Sequence, residues 1–311
     1  MGNVLWIKPV FKEMIWGGHK LKDIYGYDIP SDKTGECWAI SGHKNGDCVV
    51  TSGQYVGMTI STLWNSHREL FGNEEGDQFP LLVKIIDACN DLSVQVHPDD
   101  VYAKKHENSL GKTECWYVLD ANDDTKMVMG HHAKTKEELI KAINEDDYDH
   151  LLNSFKIKEG QFFYIPSGTI HAICSGSLIY EAQQSSDITY RVYDYHRTDD
   201  KGNERELHVS QSIDVTTVPY TPLDSAIREI KTIDNGTVER LVTSEFFALD
   251  KYELTGKNTI SNTKPFQMVS VIKGSGTIDG KAVTMGEHCI VCYDQKETIF
   301  DGNMTVMICT L

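Results

Sequence analysis

Short runs of aromatic and β-branched residues, separated by turn residues, limit the fold of this chain more than any other feature. Five such runs precede residue 185, and each has the length of a β-strand. They are FPLLVKII (79–86), LSVQVH (92–97), CWYVLD (115–120), QFFYIP (161–166) and SLIYEA (177–182). Many short strands with turns between them indicate an all-β barrel or sandwich.

Helical patterns are few and fall between the strand runs. Residues 59–71 carry leucines and aromatic residues at helical spacing, and Gly72 follows as a typical residue just beyond a helix. Thr135 and Glu138 have capping-box spacing at the start of the next pattern, and YDHLLNSF (148–155) predicts another short helix. We therefore predict a mainly β protein whose few helices are insertions between barrel strands.

The composition is that of a globular protein and excludes several classes of function. Hydrophobic residues make up 40% of the chain and charged residues 24%. The N-terminus lacks the apolar core of a signal peptide, and no run approaches the roughly 18 apolar residues of a membrane span. The net charge of −16 argues against nucleic acid and anionic membranes, which bind basic patches. An anionic substrate would therefore need a locally basic pocket.

The eight cysteines are isolated in apolar or aromatic contexts. Without a secretion signal they predict buried, reduced thiols in a cytoplasmic protein, which we expect to be a monomer or a weak dimer. Cys289 and Cys292 have CxxC spacing, but a zinc ribbon requires a second such pair. The pair therefore predicts strand residues that face opposite sides of a sheet.

Four scattered residues have the chemistry of a metal site. Gln95 and His97 lie two residues apart on a predicted strand, so their side chains point to one face. Glu114 begins another strand, and His171 follows a turn. Two imidazoles and a carboxylate suit catalytic Zn²⁺ or a non-haem metal with an open position. Taken singly, each has a simpler interpretation: a hydrogen-bonded Gln95, a solvated Glu114 or a packed His171.

The turn before His171 has a recognisable spacing. The pattern G-x5-P-x-G-x2-H begins at Gly160 and resembles the second motif of the cupin superfamily. The glycine and proline break the chain between two strands, and this turn would deliver His171 into the mouth of a barrel. The first cupin motif departs from the usual form, because Gln95 stands where a histidine is common.

The sequence also predicts two domains. Two prolines in TTVPYTPLDSAIREI (216–230) indicate a linker, and strand patterns resume beyond it. A frame like that of the cupin motif recurs at 286–297 without its proline, second glycine and histidine. Either a second barrel has lost its metal site or the similarity is accidental. We predict a metal-binding catalytic domain with helical insertions over 1–220, and a smaller, degenerate cupin-like domain without metal over 230–311.

Several motifs in one order resemble the type I phosphomannose isomerases (mannose-6-phosphate isomerases). They run from GECWAISGH through FPLLVKIIDACNDLSVQVHPDD, K-x-E and PxGxxHA to SSDITYRVYD. The resemblance covers about residues 5 to 215 and is closest to the shorter bacterial members. It implies a cupin β-barrel and one Zn²⁺ per chain.

The resemblance also implies a set of site residues. Zinc would be held by Gln95, His97, Glu114 and His171. Catalytic roles fall on Arg191 and Lys112, and sugar-phosphate binding falls on Lys84, Asp187 and Glu36, with Asp187 as the partner of Arg191. Two positions depart from the family pattern. Lys112 and Glu114 are separated by threonine where longer members have proline. Ile173 stands where those members have a tyrosine, so that the tyrosine's contact is either unfilled or filled by another residue such as Tyr190 or Tyr193.

The implied reaction interconverts mannose 6-phosphate and fructose 6-phosphate through a cis-enediol. It needs a base, a proton shuttle between oxygens and stabilisation of the enediolate. Lys112 can serve as the base if neighbouring cations lower its pKa, and a zinc-bound water or Glu36 are the alternatives. Two further functions stay open at this point: another metal-cupin enzyme, such as an Fe²⁺ dioxygenase, and a catalytically silent sugar-phosphate-binding cupin.

Overall fold

The mainly β architecture predicted from the sequence is confirmed. The computed structural model describes residues 3–198, 201–223 and 229–311. The strands before the predicted linker are β1 (Val4–Lys8), β2 (Val10–Gly18), β3 (Thr34–Ser41), β4 (Val49–Val50), β5 (Leu81–Ala88), β6 (Val94–Val96), β7 (Glu114–Ala121), β8 (Lys126–His131), β9 (Leu152–Lys156), β10 (Phe162–Ile165), β11 (His171–Ile173), β12 (Ser177–Gln184) and β13 (Tyr190–Tyr193). The strands after it are β14 (Glu229–Ile233), β15 (Gly236–Thr243), β16 (Ala248–Thr255), β17 (Asn258–Ser261), β18 (Gln267–Ile278), β19 (Lys281–Thr284), β20 (His288–Val291) and β21 (Glu297–Thr310).

These strands form three sheets that pack in layers. A six-stranded sheet has the order β10-β7-β12-β5-β3-β2, and a five-stranded sheet has the order β13-β6-β11-β8-β9. Apolar side chains of both sheets, including Trp116 and Met129, share one buried cluster, so the two sheets face each other. This pair of sheets has the layout of the predicted jelly roll. A ten-stranded sheet covers the other face of the six-stranded sheet.

The helices lie between the strands, as predicted. They are α1 (Lys20–Asp23), α2 (Ile60–Ser66), α3 (Asp100–His106), α4 (Lys136–Asn144), α5 (Tyr148–Leu151) and α6 (Val209–Val215), with a 3-10 turn at Arg68–Phe71. The Thr135 hydroxyl accepts a hydrogen bond from the backbone N–H of Glu138, which confirms the predicted helix start. Gly72 adopts a left-handed conformation (φ 68°) after the 3-10 turn, which confirms the predicted stop.

The helix predicted over 148–155 is wrong in its second half. It ends at Leu151, and Leu152–Lys156 form β9, which pairs with β8 at the edge of the five-stranded sheet. Local sequence favours a helix there, but the unpaired backbone groups of β8 offer a hydrogen-bonded partner that only the tertiary fold creates.

Alternation of side chains along the strands of the six-stranded sheet separates its core face from a polar face. On β12, Leu178, Tyr180 and Ala182 join the core shared with the ten-stranded sheet, whereas Glu181 points the other way. The same alternation on β3, β5 and β7 directs three more charged residues toward the five-stranded sheet. These residues are Glu36, Lys84 and Glu114.

The two halves of the chain share one hydrophobic core. Phe266 and Met307 of the C-terminal region belong to the same buried cluster as Ile85 and Tyr180. In addition, β1 and β4 hydrogen-bond within the ten-stranded sheet, where β1 pairs with β20. The predicted linker lies partly outside the described residues. The domain boundaries at 220 and 230 stay a prediction, with two N-terminal strands contributed to the C-terminal sheet.

The CxxC pair has the arrangement predicted for it. Cys289 and Cys292 are both buried, and they belong to different hydrophobic clusters on the two sides of the ten-stranded sheet. All eight cysteines are free thiols and six are buried, but the prediction of burial is wrong for Cys89, which is exposed in the loop after β5, and Cys174 is only partly buried.

A buried histidine connects the two halves. His288 Nε2 lies 2.8 Å from the hydroxyl of Tyr27, and its Nδ1 lies 2.9 Å from the hydroxyl of Ser270. Tyr27 also donates a hydrogen bond to the carbonyl of Gly286. Burial lowers the pKa of His288 from 6.5 to about 3, so the ring is neutral at physiological pH.

We expect this histidine to make the protein less stable in mild acid. In the unfolded chain His288 is protonated below about pH 6.5, whereas in the folded protein it stays neutral down to about pH 3. The free energy of unfolding therefore falls as the pH drops below 6.5. Between pH 7 and pH 5 the wild type should lose about 2 kcal/mol more unfolding free energy than the H288Q variant. Urea unfolding at both pH values measures the difference, and equal losses would contradict the expectation.

Candidate metal and substrate site

The polar faces of the two facing sheets enclose a cavity of about 450 Å³. Alternation on β6, β11 and β13 points Gln95, His171 and Arg191 toward it, while their neighbours pack against the helices on the outer face. The polar lining residues are Lys12, Glu36, Asn45, Lys84, Ser93, Gln95, Lys112, Glu181, Asp187, Thr189, Arg191 and Arg205. Lysine and arginine outnumber carboxylates here by five to three, so the cavity is locally basic although the chain carries a charge of −16.

His97, Glu114 and His171 come together beside Lys112, which lines this cavity. Glu114 Oε1 lies 3.2 Å from His171 Nε2, and Glu114 Oε2 lies 3.6 Å from His97 Nε2. The three ligand atoms lie within 4.8 Å of one another, and all three side chains are buried. Gln95, the fourth predicted ligand, pairs directly with His171 across β6 and β11 and lines the cavity.

Backbone carbonyls orient both imidazoles. His97 Nδ1 lies 2.8 Å from the carbonyl of Ile188, and His171 Nδ1 lies 2.9 Å from the carbonyl of Thr169. Because a carbonyl only accepts hydrogen bonds, each Nδ1 carries the proton and each Nε2 keeps its lone pair. The His171 lone pair is unpaired among the described residues and the His97 lone pair faces the Lys112 ammonium at 3.2 Å, while the Nδ1 contacts to backbone carbonyls are those typical of metal-binding histidines.

The cluster is incomplete without a cation. Among the described residues, Glu114 Oε1 and His171 Nε2 are buried without a hydrogen-bond partner, and Glu114 Oε2 contacts the Lys112 ammonium at 2.8 Å. Burial alone would raise the pKa of Glu114, but Lys112 and the two imidazoles outweigh burial and hold this pKa well below its usual range. A buried, ionised carboxylate with one unpaired oxygen beside two imidazole lone pairs fits a divalent metal.

The predicted cupin turn is fixed against the chain at the end of β6. Gly168 adopts φ +82°, and its backbone N–H donates to the carbonyl of His97 over 2.8 Å. A side chain there would meet Thr217 Oγ1 at 2.5 Å. The glycine is therefore needed both for the backbone conformation and for the close approach of the chain segment 216–218.

Lys112 lies directly beside the metal-ligand cluster. Its ammonium is 2.8 Å from Glu114 Oε2 and 3.2 Å from His97 Nε2, and the side chain is buried. Burial, together with the positive charge of Lys112, lowers the pKa of His97 well below its usual value. The lysine of the predicted K-x-E motif therefore shares one site with the ligands.

Lys84 lies between two carboxylates. It is 3.6 Å from Glu36 Oε1 and 3.5 Å from Glu181 Oε1, and all three side chains are buried. Burial alone would lower the pKa of Lys84, but Glu36, Glu181 and Glu114 outweigh it and raise this pKa above its usual range. Two tryptophans hold the carboxylates in place, because Trp38 Nε1 donates to Glu36 and Trp116 Nε1 donates to Glu181, each over 2.7 Å.

Sequence reasoning missed Glu181. The signal was an acidic residue inside the apolar strand SLIYEA, directly opposite Lys84 in the register of β12 and β5. Burial and the nearby charge of Glu114 raise the pKa of Glu181.

The predicted contact between Asp187 and Arg191 is wrong, although both line the cavity. Asp187 accepts a short hydrogen bond from the Asn45 amide and lies 3.5 Å from Nε2 of His43. The Arg191 guanidinium instead donates to the carbonyl of Glu206 over 2.6 Å, and its Nε has no hydrogen-bond partner among the residues that the structure describes. The turn after β12 directs Asp187 toward β3 and away from Arg191.

The suggested replacements for the missing tyrosine are also wrong. Tyr190 and Tyr193 flank Arg191 but face the outer side of the five-stranded sheet, where Tyr190 donates to Glu107 and Tyr193 stacks on Tyr148. Ile173 itself lines the cavity. The cavity wall at this position is therefore apolar, and neither Tyr190 nor Tyr193 supplies a hydroxyl in place of the missing tyrosine.

Comparison with known proteins identifies close relatives. The sequence model described as phosphomannose isomerase type I, catalytic domain, matches residues 4–136, and that of the mannose-6-phosphate isomerase cupin domain matches residues 237–311. The chain is 49% identical to mannose-6-phosphate isomerase ManA of Bacillus subtilis, with 96% of each chain covered. It is 47% identical to the mannose-6-phosphate isomerase of Streptococcus mutans, covering 99% of this chain and 98% of the relative.

A solved structure of a relative has the same fold as this chain. The crystal structure of the mannose 6-phosphate isomerase from Bacillus subtilis superposes with a TM-score of 0.96 at 42% sequence identity, covering 99% of this chain and 100% of that one. Among the described residues, no helix combines the length and apolar character needed to cross a bilayer.

Proposed function

Because the chain belongs to the type I phosphomannose isomerases and is a mannose-6-phosphate isomerase, we propose that it uses Zn²⁺ to interconvert mannose 6-phosphate and fructose 6-phosphate through a cis-enediol. The observation that carries the proposal is the buried cluster of His97, Glu114 and His171, whose unused ligand atoms lie beside Lys112.

One Zn²⁺ would be held by Gln95, His97, Glu114 and His171. Two imidazoles, an ionised carboxylate and an amide oxygen are ligands that zinc accepts. When bound, the metal would supply Lewis-acid polarisation of the sugar oxygens. The hydrogen bonds from His97 and His171 to backbone carbonyls support this assignment, because they keep both imidazoles oriented before the metal arrives.

Lys112 is the proposed proton carrier between C2 and C1. Its position beside the ligand cluster supports this role, since the reacting carbons would lie close to the metal. The rival candidate Glu36 lies beside Lys84 and accepts a hydrogen bond from Trp38, and these contacts favour a role in holding the substrate. In its neutral form Lys112 would accept the C2 proton and return it to C1 on the same face.

Arg191 is the proposed stabiliser of the enediolate. Its unpartnered Nε and its position next to Gln95 support this role, because a guanidinium delivers parallel donors and stays charged. Asp187, held by Asn45 and His43, and Lys84 with Glu36 are the proposed contacts to the sugar hydroxyls. We further propose that the enzyme works in the cytoplasm on this small-molecule partner, where its eight free thiols would stay reduced.

A coupled assay of fructose 6-phosphate formation tests the metal and the reaction together. Enzyme stripped with a chelator should lose activity, and Zn²⁺ should restore it with one ion per chain. Exchange of one deuterium from solvent into the product would support proton transfer through the enediol. Full activity in the stripped enzyme would refute the metal requirement, and two ions per chain would refute our proposal that region 230–311 binds no metal.

A further inference from the structure

Three arginines gather around one buried carboxylate at the rim of the cavity. Arg205 donates to Asp194 through Nε and Nη2 over 2.6 and 2.5 Å, and Arg197 donates to the same carboxylate. Burial alone would raise the pKa of Asp194, but Arg205 and Arg197 outweigh it and lower this pKa. We refer to Arg191, Arg197 and Arg205 as the arginine cluster.

Arg205 lies where the substrate cavity meets a second cavity. Arg205 and Met14 line both the 450 Å³ cavity and an adjoining one of about 530 Å³, which Lys33 and Arg197 also line. The Arg205 side chain is 29% exposed, whereas Asp194 behind it is almost fully buried. The carboxylate therefore fixes the guanidinium at an accessible position.

The arginine cluster has more positive charge than its paired carboxylate neutralises. In the part of the chain that the structure describes, Asp194 forms ion pairs with both Arg197 and Arg205, and Arg191 forms no ion pair. Nη1 of Arg205 makes no hydrogen bond to a described residue. Burial and the charge of Arg205 lower the pKa of Arg191, which agrees with a positive potential at this rim. Such a group attracts an anion.

Two other cations of the cavity, Lys84 and Lys112, are already neutralised, whereas Lys12 donates to the carbonyl of Asn45, forms no ion pair with a described residue and is the rival anion site. Lys84 has Glu36 and Glu181 within 3.6 Å, and Lys112 has Glu114 at 2.8 Å. A phosphate group near Lys84 would meet two carboxylates, which repel it. In the arginine cluster, by contrast, three positive charges share one carboxylate, so it is the better site for an anion.

We propose that Arg205, held by Asp194, binds the 6-phosphate of the sugar substrate. The inference rests on the proposed function, because it takes C1 and C2 to lie beside the metal ligands. Arg191 pairs with Gln95 across β13 and β6, and it is close enough to Arg205 for the two positive charges to interact, so the same cavity connects the ligands with Arg205. The phosphate, which carries nearly two negative charges at pH 7, would accept hydrogen bonds from the free guanidinium donors.

The test compares Arg205→Gln with a matched control, Arg240→Gln. Arg240 donates to Asp250 through the same two nitrogens but lies in the ten-stranded sheet, away from the cavity. R205Q should raise KM for mannose 6-phosphate about 10- to 100-fold, since that is the usual cost of a lost hydrogen bond to a charged group, with a smaller change in kcat. R240Q should leave both constants unchanged.

Binding of inorganic phosphate, measured by calorimetry, separates this inference from the proposed function. R205Q should bind phosphate about 10- to 100-fold more weakly than the wild type. The inference would be overturned if R205Q bound phosphate as tightly as the wild type, or if the Lys12→Met variant lost phosphate binding and R205Q did not, even if the wild type is an active isomerase. A wild type that binds phosphate through Arg205 but does not isomerise mannose 6-phosphate would refute only the proposed reaction.

A second variant tests the phosphate site if R205Q does not fold. If R205Q unfolds, Arg205→Lys keeps the charge but loses the two-pronged contact to Asp194. Weakened phosphate binding by folded, metal-loaded R205K would support the inference, and wild-type binding would overturn it.

Discussion

The H171A variant is expected to lose at least roughly 10³-fold in kcat/KM, because it removes one of the ligands proposed to hold the metal. His171 Nε2 is buried, has no hydrogen-bond partner and lies 3.2 Å from Glu114. Truncation would leave the carboxylate beside a gap, and metal bound by the remaining side chains should dissociate more readily. The measurements are the coupled assay and the zinc content per folded chain after dialysis.

His288→Ala is the matched control for this loss. His288 is as deeply buried as His171, but both of its ring nitrogens already have hydroxyl partners. H288A should be less stable and yet retain its zinc. Added Zn²⁺ should raise the unfolding midpoint of wild type and H288A, and it should have little effect on H171A. An H171A protein that keeps a full complement of zinc would remove His171 from the ligand set.

Lys112→Met is expected to lower kcat by about 10²- to 10⁴-fold, which is the usual contribution of a well-placed acid or base. The effect should fall on kcat more than on KM, because the lysine is proposed to act on the reacting carbons rather than to bind the phosphate. Steady-state kinetics and solvent deuterium exchange into the product measure it.

The control for Lys112 is Lys251→Met. Lys251 also pairs with carboxylates, lying 2.9 Å from Glu239 and 3.0 Å from Glu253, but it belongs to the ten-stranded sheet. Zinc content must be measured in K112M, because Lys112 lies 2.8 Å from Glu114 and its removal could release the metal. A zinc-loaded K112M enzyme with kcat within tenfold of wild type would show that another group moves the proton.

The parts of the site that were predictable from sequence follow local rules. Gln95 on β6 and His97 just beyond its end have the spacing that places side chains on one face of an extended chain, and Gly168 marks the turn before His171. The strand runs also gave the mainly β architecture. Motif order then identified Lys112 and Arg191, which lie far apart in sequence but line the same cavity.

The unpredicted parts depend on contacts between distant segments. Glu181 becomes part of the site through its register with Lys84, nearly a hundred residues earlier. Arg205 reaches the rim because buried Asp194 fixes it there. Similarly, residues 152–156 form a strand only because β8 lies alongside them. Local propensity and spacing contain none of this information.

The alternation along the six-stranded sheet also limits how this enzyme can change during evolution. Lys84 and Glu181 are each one residue away from side chains that fill the core between the sheets. Insertion or deletion of a single residue within β5 or β12 would exchange the two faces, burying charge in the core and bringing apolar groups to the substrate. Length variation in this lineage should therefore be confined to the connections, where the helices already lie, while the strands keep a constant number of residues.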